Sequence, residues 1–279
     1  MRILADYFRV MRQYRRRVGR YPNLFRPTRF TEKVQVAKLR WRIPRMVVLA
    51  DKVLAKQVVA EELGREWTTP TLYAGRSLPP RDARNWPMPF VIKANNWSGG
   101  NYFVTGPQPP DWDDIERSVD YWMGRTFGRS FGEWVYREIP PQVLVEPYIG
   151  AGEPPVDYRL HVFDGRADFV SVNWERFAGL KRAVYDRDWQ RLPFIMSDDA
   201  EPYYGNDIPP MPRSYPEMIR AAEHLAAGFP FARVDFYEID GLPRFGEVTF
   251  YPNSGFIRLP EELDLKYGAM WPDELPANG

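Results

Sequence analysis

The sequence predicts an α+β protein with two sheet-bearing units behind a helical N-terminal segment, and three observations predict it. Residues 229–256 read as a hairpin: Phe231 to Glu238 and Arg244 to Tyr251 alternate with period two around the turn signal Asp240-Gly241. Residues 90–149 read as strand, Gly-rich turn, strand, helix, strand. Residues 2–20 and 48–64 read as helices on either side of a loop-rich stretch, 21–47, with Pro22, Pro27 and Pro44. The expected units are a helical region at 1–88, a lid-sized unit at 89–149 and a C-terminal unit at 150–279.

Composition narrows the class. A hydrophobic content of 44% over 279 residues supports a sizeable core, and 28 prolines suggest many stiff loops. The net charge of +1 argues against a general nucleic-acid binder. With no cysteine, disulfides and thiol chemistry are excluded. His161 and His224 are too far apart for a zinc-binding HExxH helix. No apolar run reaches the roughly 20 residues needed to span a bilayer, and no secretory h-region opens the chain. The expected location is therefore the cytoplasm.

In order, residues 2–20 read as a basic amphipathic helix. Its stripe is Ile3, Leu4, Tyr7, Phe8 and Met11, with seven arginines against Asp6 alone. Two readings stay open: a stripe packed on the body, or an interfacial segment facing an anionic lipid surface or glycan at the inner face of the membrane. Thr31-Glu32-Lys33 begins a second helix, and 48–64 reads as a third with exposed lysines, Lys52 and Lys56 among them. Prolines 70, 79, 80 and 87 mark the boundary before the lid unit.

In Lys93-Ala94-Asn95-Asn96-Trp97-Ser98-Gly99-Gly100, a lysine ends a strand and a Ser-Gly-Gly loop follows. Such a loop can expose N–H groups to a phosphate, although most Gly-Gly turns only turn. A helix over 111–124 and a strand over 142–149 complete the unit. Residues 156–173 form a hairpin around Asp164-Gly165, with Asp157, Arg159 and His161 on one face. Arg176, Lys181 and Arg182 form a basic cluster that either meets an anionic substrate or is a solvated loop. Ser214 and Glu217 predict a capping box for a helix ending at Gly228, and the tail 259–279 reads as irregular.

On the last hairpin, Arg233, Asp235 and Tyr237 share one face of the first strand, and Glu247, Thr249 and Tyr251 one face of the second. Two adjacent carboxylates repel unless a hard cation sits between them. Directly opposed residues share a face, and a plain two-residue turn would put Asp235 and Glu247 on opposite faces. The pairing therefore needs an offset, expected near Asp240–Pro243.

These pieces resemble the ATP-grasp superfamily, in particular its teichuronopeptide-biosynthesis (TupA-like) branch, from about Pro22 to Lys266. The resemblance rests on Thr31-Glu32-Lys33, Leu49-Ala50-Asp51-Lys52, Phe90 to Lys93 with Ser98-Gly99-Gly100-Asn101, and Val145-Glu146-Pro147-Tyr148. It continues through Asp157-Tyr158-Arg159, Tyr185-Asp186, Leu192-Pro193-Phe194 and the final hairpin. It implies an ATP-grasp fold, two α+β subdomains gripping ATP. It implies that Lys52 and Lys93 contact ATP, that Ser98, Gly99 and Gly100 cover its phosphates, and that Glu146 and Tyr148 belong to the adenine-binding hinge. Asp235 and Glu247, with Thr249 where the superfamily has asparagine, would hold Mg²⁺. Arg159 and Arg233 would face the phosphates, with Asn253 and Ser254 in the loop beside the reacting carboxylate. Trp97, Arg176 and Lys181 are the expected substrate contacts.

Four departures from the pattern stand out: Thr249, Asn96-Trp97 in place of His-Gly, Arg159 in place of lysine, and Asn253 in place of glycine. The implied activity is an ATP-dependent carboxylate–amine ligase that joins an amino acid to a uronic acid of a surface glycan or its sugar precursor. Candidates for the base are His161, Asp186 and Glu175. The alternatives are a glycosyltransferase-like enzyme, for which Asp113-Asp114 and Asp198-Asp199 are poor metal motifs, and a non-catalytic nucleotide-binding protein.

Overall fold

The structure, a computed structural model, describes residues 2–150, 152–197 and 202–272. Four helices come first: α1 (Arg2–Val18), α2 (Phe30–Arg40), α3 (Pro44–Ala50) and α4 (Lys52–Glu62). The lid unit holds β1 (Tyr73–Gly75), β2 (Phe90–Ala94), β3 (Asn101–Val104), α5 (Trp112–Met123), α6 (Trp134–Glu138) and β4 (Val143–Pro147). The large sheet follows in β5 (Asp157–Phe163), β6 (Arg166–Trp174), β7 (Lys181–Asp186) and β8 (Arg191–Leu192), with the short α7 (Arg176–Gly179) between β6 and β7. After α8 (Tyr215–Leu225) come β9 (Phe231–Ile239), β10 (Leu242–Thr249) and α9 (Glu261–Ala269).

Two antiparallel sheets result, one of four strands in the order β1-β4-β2-β3 and one of six in the order β10-β9-β5-β6-β7-β8. Each has its own core. In the small sheet Phe90, Ile92, Val143 and Val145 pack with Ile115 and Val119 of α5. The large sheet is covered by α8 through Met218, Ala222 and Leu225, and α2 contributes Phe30 and Val34 to the same core. Strand β1, before the expected boundary at residue 88, pairs with β4 and so belongs to the small sheet.

The last hairpin positions the site. Ile239 pairs with Leu242, so Asp240 and Gly241 form a two-residue turn, with φ of 55° and 76°, as a primed turn requires. The offset is not near Asp240–Pro243, where it was expected. Phe245 pairs with Phe236 and Glu247 with Asp235, so Gly246 is the bulged residue. A Cβ at Gly246 would lie 3.0 Å from the Asp235 carbonyl oxygen, which is why glycine suits the bulge.

Five other expectations are corrected. Helix α1 turns Val10 and Tyr14 inward, while Leu4 and Phe8 of the predicted stripe are 66% and 75% exposed. Tyr14 sets this rotation through a 2.7 Å hydrogen bond with Thr31. The helix expected over 48–64 breaks at Asp51, whose carboxylate accepts from Val53 N at 2.8 Å and so starts α4 afresh. The α4 lysines expected to be exposed are held inward, with Lys52 and Lys56 side chains only 15% and 11% exposed. Ser214 forms no capping box, because its hydroxyl donates to Glu238 at 2.7 Å while Glu217 takes Arg220. The tail is not wholly irregular: α9 is anchored by buried Asp264, which accepts from Thr31 N and Oγ1 at 2.9 and 2.8 Å.

Candidate active site

Between the two sheets lies a cavity of about 560 Å³. Its lid wall carries Lys93, at the end of β2, and Glu146, at the end of β4; antiparallel pairing of these strands sets both on the cavity. Glu146 is buried between two lysines, Lys93 at 2.5 Å and Lys56 of α4. Burial opposes its charge, but Lys93 and Lys56 outweigh burial and lower its pKa. Ser98 and Gly99 line the same wall. Gly99 takes φ +76° with open space around it, so the loop backbone is approachable.

The opposite wall is the large sheet. Register places Arg159 beside Asp235 and Asp235 opposite Glu247, all facing the cavity. Arg233 ties the group together. Its Nε and Nη2 donate to the two oxygens of Asp235 at 2.7 and 2.6 Å, and Nη2 also reaches Thr249 Oγ1 at 3.0 Å and Glu247 at 3.3 Å. Arg159 donates to Asp157 at 2.8 Å and lies 3.6 Å from Asp235. Lys52 spans the cleft, 3.2 Å from Glu247 and donating to the Trp97 carbonyl at 3.0 Å.

The two opposed carboxylates are electrostatically unlike. Burial raises Asp235 to about 6; Arg233 opposes the rise and Asp157 adds to it. Glu247 falls to about 2, because Lys52 and Arg233 outweigh the burial that would raise it. No cluster of three His, Cys, Asp or Glu side chains poised for a metal occurs among the described residues. Two carboxylates and the Thr249 hydroxyl are nevertheless hard oxygen donors on one face. They suit a Mg²⁺ ion that completes its shell with water and phosphate oxygens. Arg233 sits among these three donors, so the site already holds a cation in its charge balance.

Other predicted residues fall unevenly. Tyr148, Trp97, Arg176, Asn253 and Ser254 line the cavity. Arg176 donates to Asp157 at 2.9 Å, and Asn253 donates to the Met196 carbonyl at 2.9 Å. Gly100 is not on the cavity, since its carbonyl accepts from Ala94 N at 2.9 Å and closes the loop. Lys181 is also off it, paired with Glu175 at 2.7 Å and with Asp207. That pairing removes Glu175 as a free base. Asp186 is occupied in a turn, accepting from Asp188 N and Gln190 N. His161 is buried against Phe169, with burial and then Arg233 and Arg159 holding it neutral. Asp113 and Asp114 open α5 rather than ending a strand, and Asp198 and Asp199 lie outside the described residues.

Four site residues escaped the sequence reading: Lys56, Asp157 as a buried carboxylate beneath Arg159 and Arg176, Glu133 and Arg17. Lys56 had a signal, the i, i+4 spacing from Lys52 that puts both on one helix face. Asp157 had one as well, the i, i+2 spacing from Arg159 on one strand face, whereas Glu133 and Arg17 are joined to the site only by tertiary packing.

Among curated proteins, none matches the chain. Solved structures similar to it include D-alanine–D-alanine ligase from Bacillus anthracis, at 16% identity over 80% of this chain and 64% of that one, TM-score 0.46. L-amino acid ligase from Bacillus licheniformis is similar at 13% identity over 91% and 57%, TM-score 0.47. The ATP-grasp ligase PsnB, complexed with a phosphomimetic variant of its minimal precursor, Mg and ADP, is similar at 12% identity over 81% and 59%, TM-score 0.45. The chain thus spans less than two thirds of the length of each of these three proteins. The TupA-like ATP-grasp profile matches residues 32–271, from the start of α2 to just past α9, and takes in both walls of the cavity. The chain belongs to the TupA-like ATP-grasp family.

Proposed function

We propose that the protein is an ATP-dependent carboxylate–amine ligase. The observation that carries this reading is the pairing, across one cavity, of Lys93 and the Ser98-Gly99 loop with the Arg159–Asp235–Arg233–Glu247 array. Lys52 and Lys93 receive the phosphates, and the chain around Glu146 and Tyr148 receives the adenine. Asp235, Glu247 and Thr249 hold Mg²⁺, which when bound supplies neutralising charge to the phosphoryl group in transit. Arg159 and Arg233 orient that group for in-line attack by a carboxylate oxygen. The γ-phosphoryl bond to ADP breaks and an acyl phosphate forms. An amine nitrogen then bonds to the acyl carbon, inorganic phosphate leaves with the bonding pair, and the amide remains.

The substrates we infer are an amino acid and the carboxylate of a uronic acid in a surface glycan or its sugar precursor. The arginine-rich α1 supports an anionic acceptor: Arg12, Arg15 and Arg16 are exposed on it, and Arg17 reaches the cavity. The same helix leaves Leu4 and Phe8 in solvent, which suits peripheral contact with an anionic membrane. No helix among the described residues is long and apolar enough to cross one.

The test is ADP release screened over amino acids with glucuronate or a uronate oligosaccharide as acceptor. Amino-acid-dependent release with a matching amide product is expected. Release of no ADP with any pair, by protein that still binds MgATP, would sink the reading, and sugar transfer without ATP turnover would bring the glycosyltransferase forward.

A further inference from the structure

One part of the cavity is lined by charged and aromatic groups that the steps above do not use. Glu133, just before α6, is 4% exposed yet lines the cavity. Its Oε1 accepts from Ser254 Oγ at 2.8 Å, and its Oε2 has no hydrogen bond among the described residues. Lys38 lies behind it, fully buried, donating to the Ser254 carbonyl at 2.7 Å and the Phe131 carbonyl at 3.1 Å, and resting 4.1 Å over the Phe256 ring. Burial raises the Glu133 pKa, and Lys38 works against that rise, favouring the ionised carboxylate.

The opposite charge is at the rim. Arg17, in the last turn of α1, lines the same cavity, with its guanidinium 5.0 Å over Phe131 and 5.9 Å over Phe256. Arg17 is exposed, and no carboxylate pairs with it among the described residues. Between the charges the walls are aromatic: Phe131 meets Phe256 at 5.9 Å, and Phe127 meets Tyr136 at 5.3 Å. Asn253 and Ser254 adopt φ of +48° and +58°, conformations that cost non-glycine residues free energy. Lys38 and Gln35 hold that turn through its carbonyls, and it presents Ser254 to Glu133.

A carboxylate on the floor, an unpaired guanidinium at the rim and aromatic walls between them complement a small zwitterion. We propose that this part of the cleft binds an α-amino acid, with Glu133 receiving its ammonium and Arg17 its carboxylate. The assignment rests on the ligase reading for its chemistry and supplies the base that His161, Asp186 and Glu175 do not. Glu133 takes one proton from the ammonium and frees the nitrogen lone pair. The N–C bond forms, the C–O bond to the phosphoryl group breaks, and the second proton leaves with inorganic phosphate.

Binding can be read apart from turnover. With Mg²⁺ and the non-hydrolysable β,γ-methylene analogue of ATP present, calorimetry over the common L-amino acids identifies the best ligand, which is then compared with its carboxamide. Wild-type protein is expected to prefer the acid by at least about tenfold, the worth of one charge-assisted hydrogen bond. Arg17→Gln should erase that preference, and Glu133→Gln should weaken both ligands by at least about tenfold. The site is overturned if no amino acid binds wild-type protein, or if Glu133→Gln, folded by its thermal melt, binds as wild type does. It is equally overturned if Arg17→Gln keeps the preference, a variant at an exposed helix end that carries the test even if Glu133→Gln does not fold. Binding as expected without ADP release would leave the site standing and remove the ligase reading. ADP release with unaltered amino-acid dependence in both variants would do the reverse.

Discussion

The two walls of the cleft each carry one excess positive charge, and they arrange it by different means. On the lid side two lysines flank one buried carboxylate, Glu146. On the large-sheet side three arginines and Lys52 interlock with Asp157, Asp235 and Glu247. Lysine is a point charge on a flexible stem, whereas arginine is a planar fork that fixes direction as well as charge. The lid wall thus meets a ligand with adaptable charges, one of them, Lys56, supplied by α4 of the large core. The large sheet, stitched side chain to side chain, holds the reacting groups in place. The difference predicts that damage to the lid wall lowers nucleotide affinity, and that damage to the sheet wall lowers the rate.

The largest effect should come from Asp235→Asn with Glu247→Gln. Amide formation should fall at least about a hundredfold, since loss of the metal charge removes several kcal/mol of transition-state stabilisation. The variant should keep its fold with a lowered thermal melt, because Arg233, Arg159 and Lys52 lose their carboxylate partners on one face. A folded double variant with wild-type ADP release would break the contrast between the walls. Next, Lys93→Ala should weaken MgATP binding roughly ten- to a hundredfold, by the loss of a charge-assisted contact. Its kcat at saturating nucleotide should change little; calorimetry and steady-state kinetics on one preparation separate the two. Arg159→Lys sharpens the comparison by keeping charge and removing the fork. About tenfold in kcat is expected, with MgATP affinity unchanged, since Asp157 and Asp235 lose their common partner. An affinity loss in place of the rate loss would mean that the arginines, like the lysines, act only as charge.

The smallest effect concerns stability and uses Lys38, buried behind Glu133. Burial pushes Lys38 down to about 7 from 10.5, against the opposing pull of Glu133. Between those values the unfolded chain binds more protons than the folded one, so this group makes stability rise with pH. Melting temperature should climb by roughly 2–4 °C per pH unit from about pH 7 to 9, at about 1 kcal/mol per unit. Lys38→Met should lower the melt throughout and flatten the slope. An unchanged slope would show that Lys38 is not the titrating group, leaving Lys56, whose pKa burial also lowers, as the source.

What was legible in the sequence was local. Asp240-Gly241 and Asp164-Gly165 announce their turns, and period-two alternation announces the strands and the faces of Arg233, Asp235, Glu247 and Thr249. What stayed hidden depends on partners far along the chain. The inward face of α1 is chosen by Thr31, the break at Asp51 by a side chain that can cap, and α9 by a carboxylate that pairs with α2. Glu133 and Arg17 stand 116 residues apart by number and come together only in the fold, on the lining of one cavity. No spacing rule reaches that far. The family resemblance could assign Lys52 and Lys93, but it had nothing to say about Lys56 beside them.

The bulge at Gly246 makes the hairpin sensitive to parity, and this inverts the usual ranking of sequence changes. From the two-residue turn onward, an even or odd count decides whether an acid on β10 faces the cavity or the core. Deleting Gly246 would leave a plain ladder in which Glu247 still stands opposite Asp235. A substitution that draws residue 246 into the ladder would instead turn Glu247 and Thr249 away together. In a lineage of such chains, losing this residue outright is thus the milder event, and replacing it with a residue that pairs is the one that silences the site.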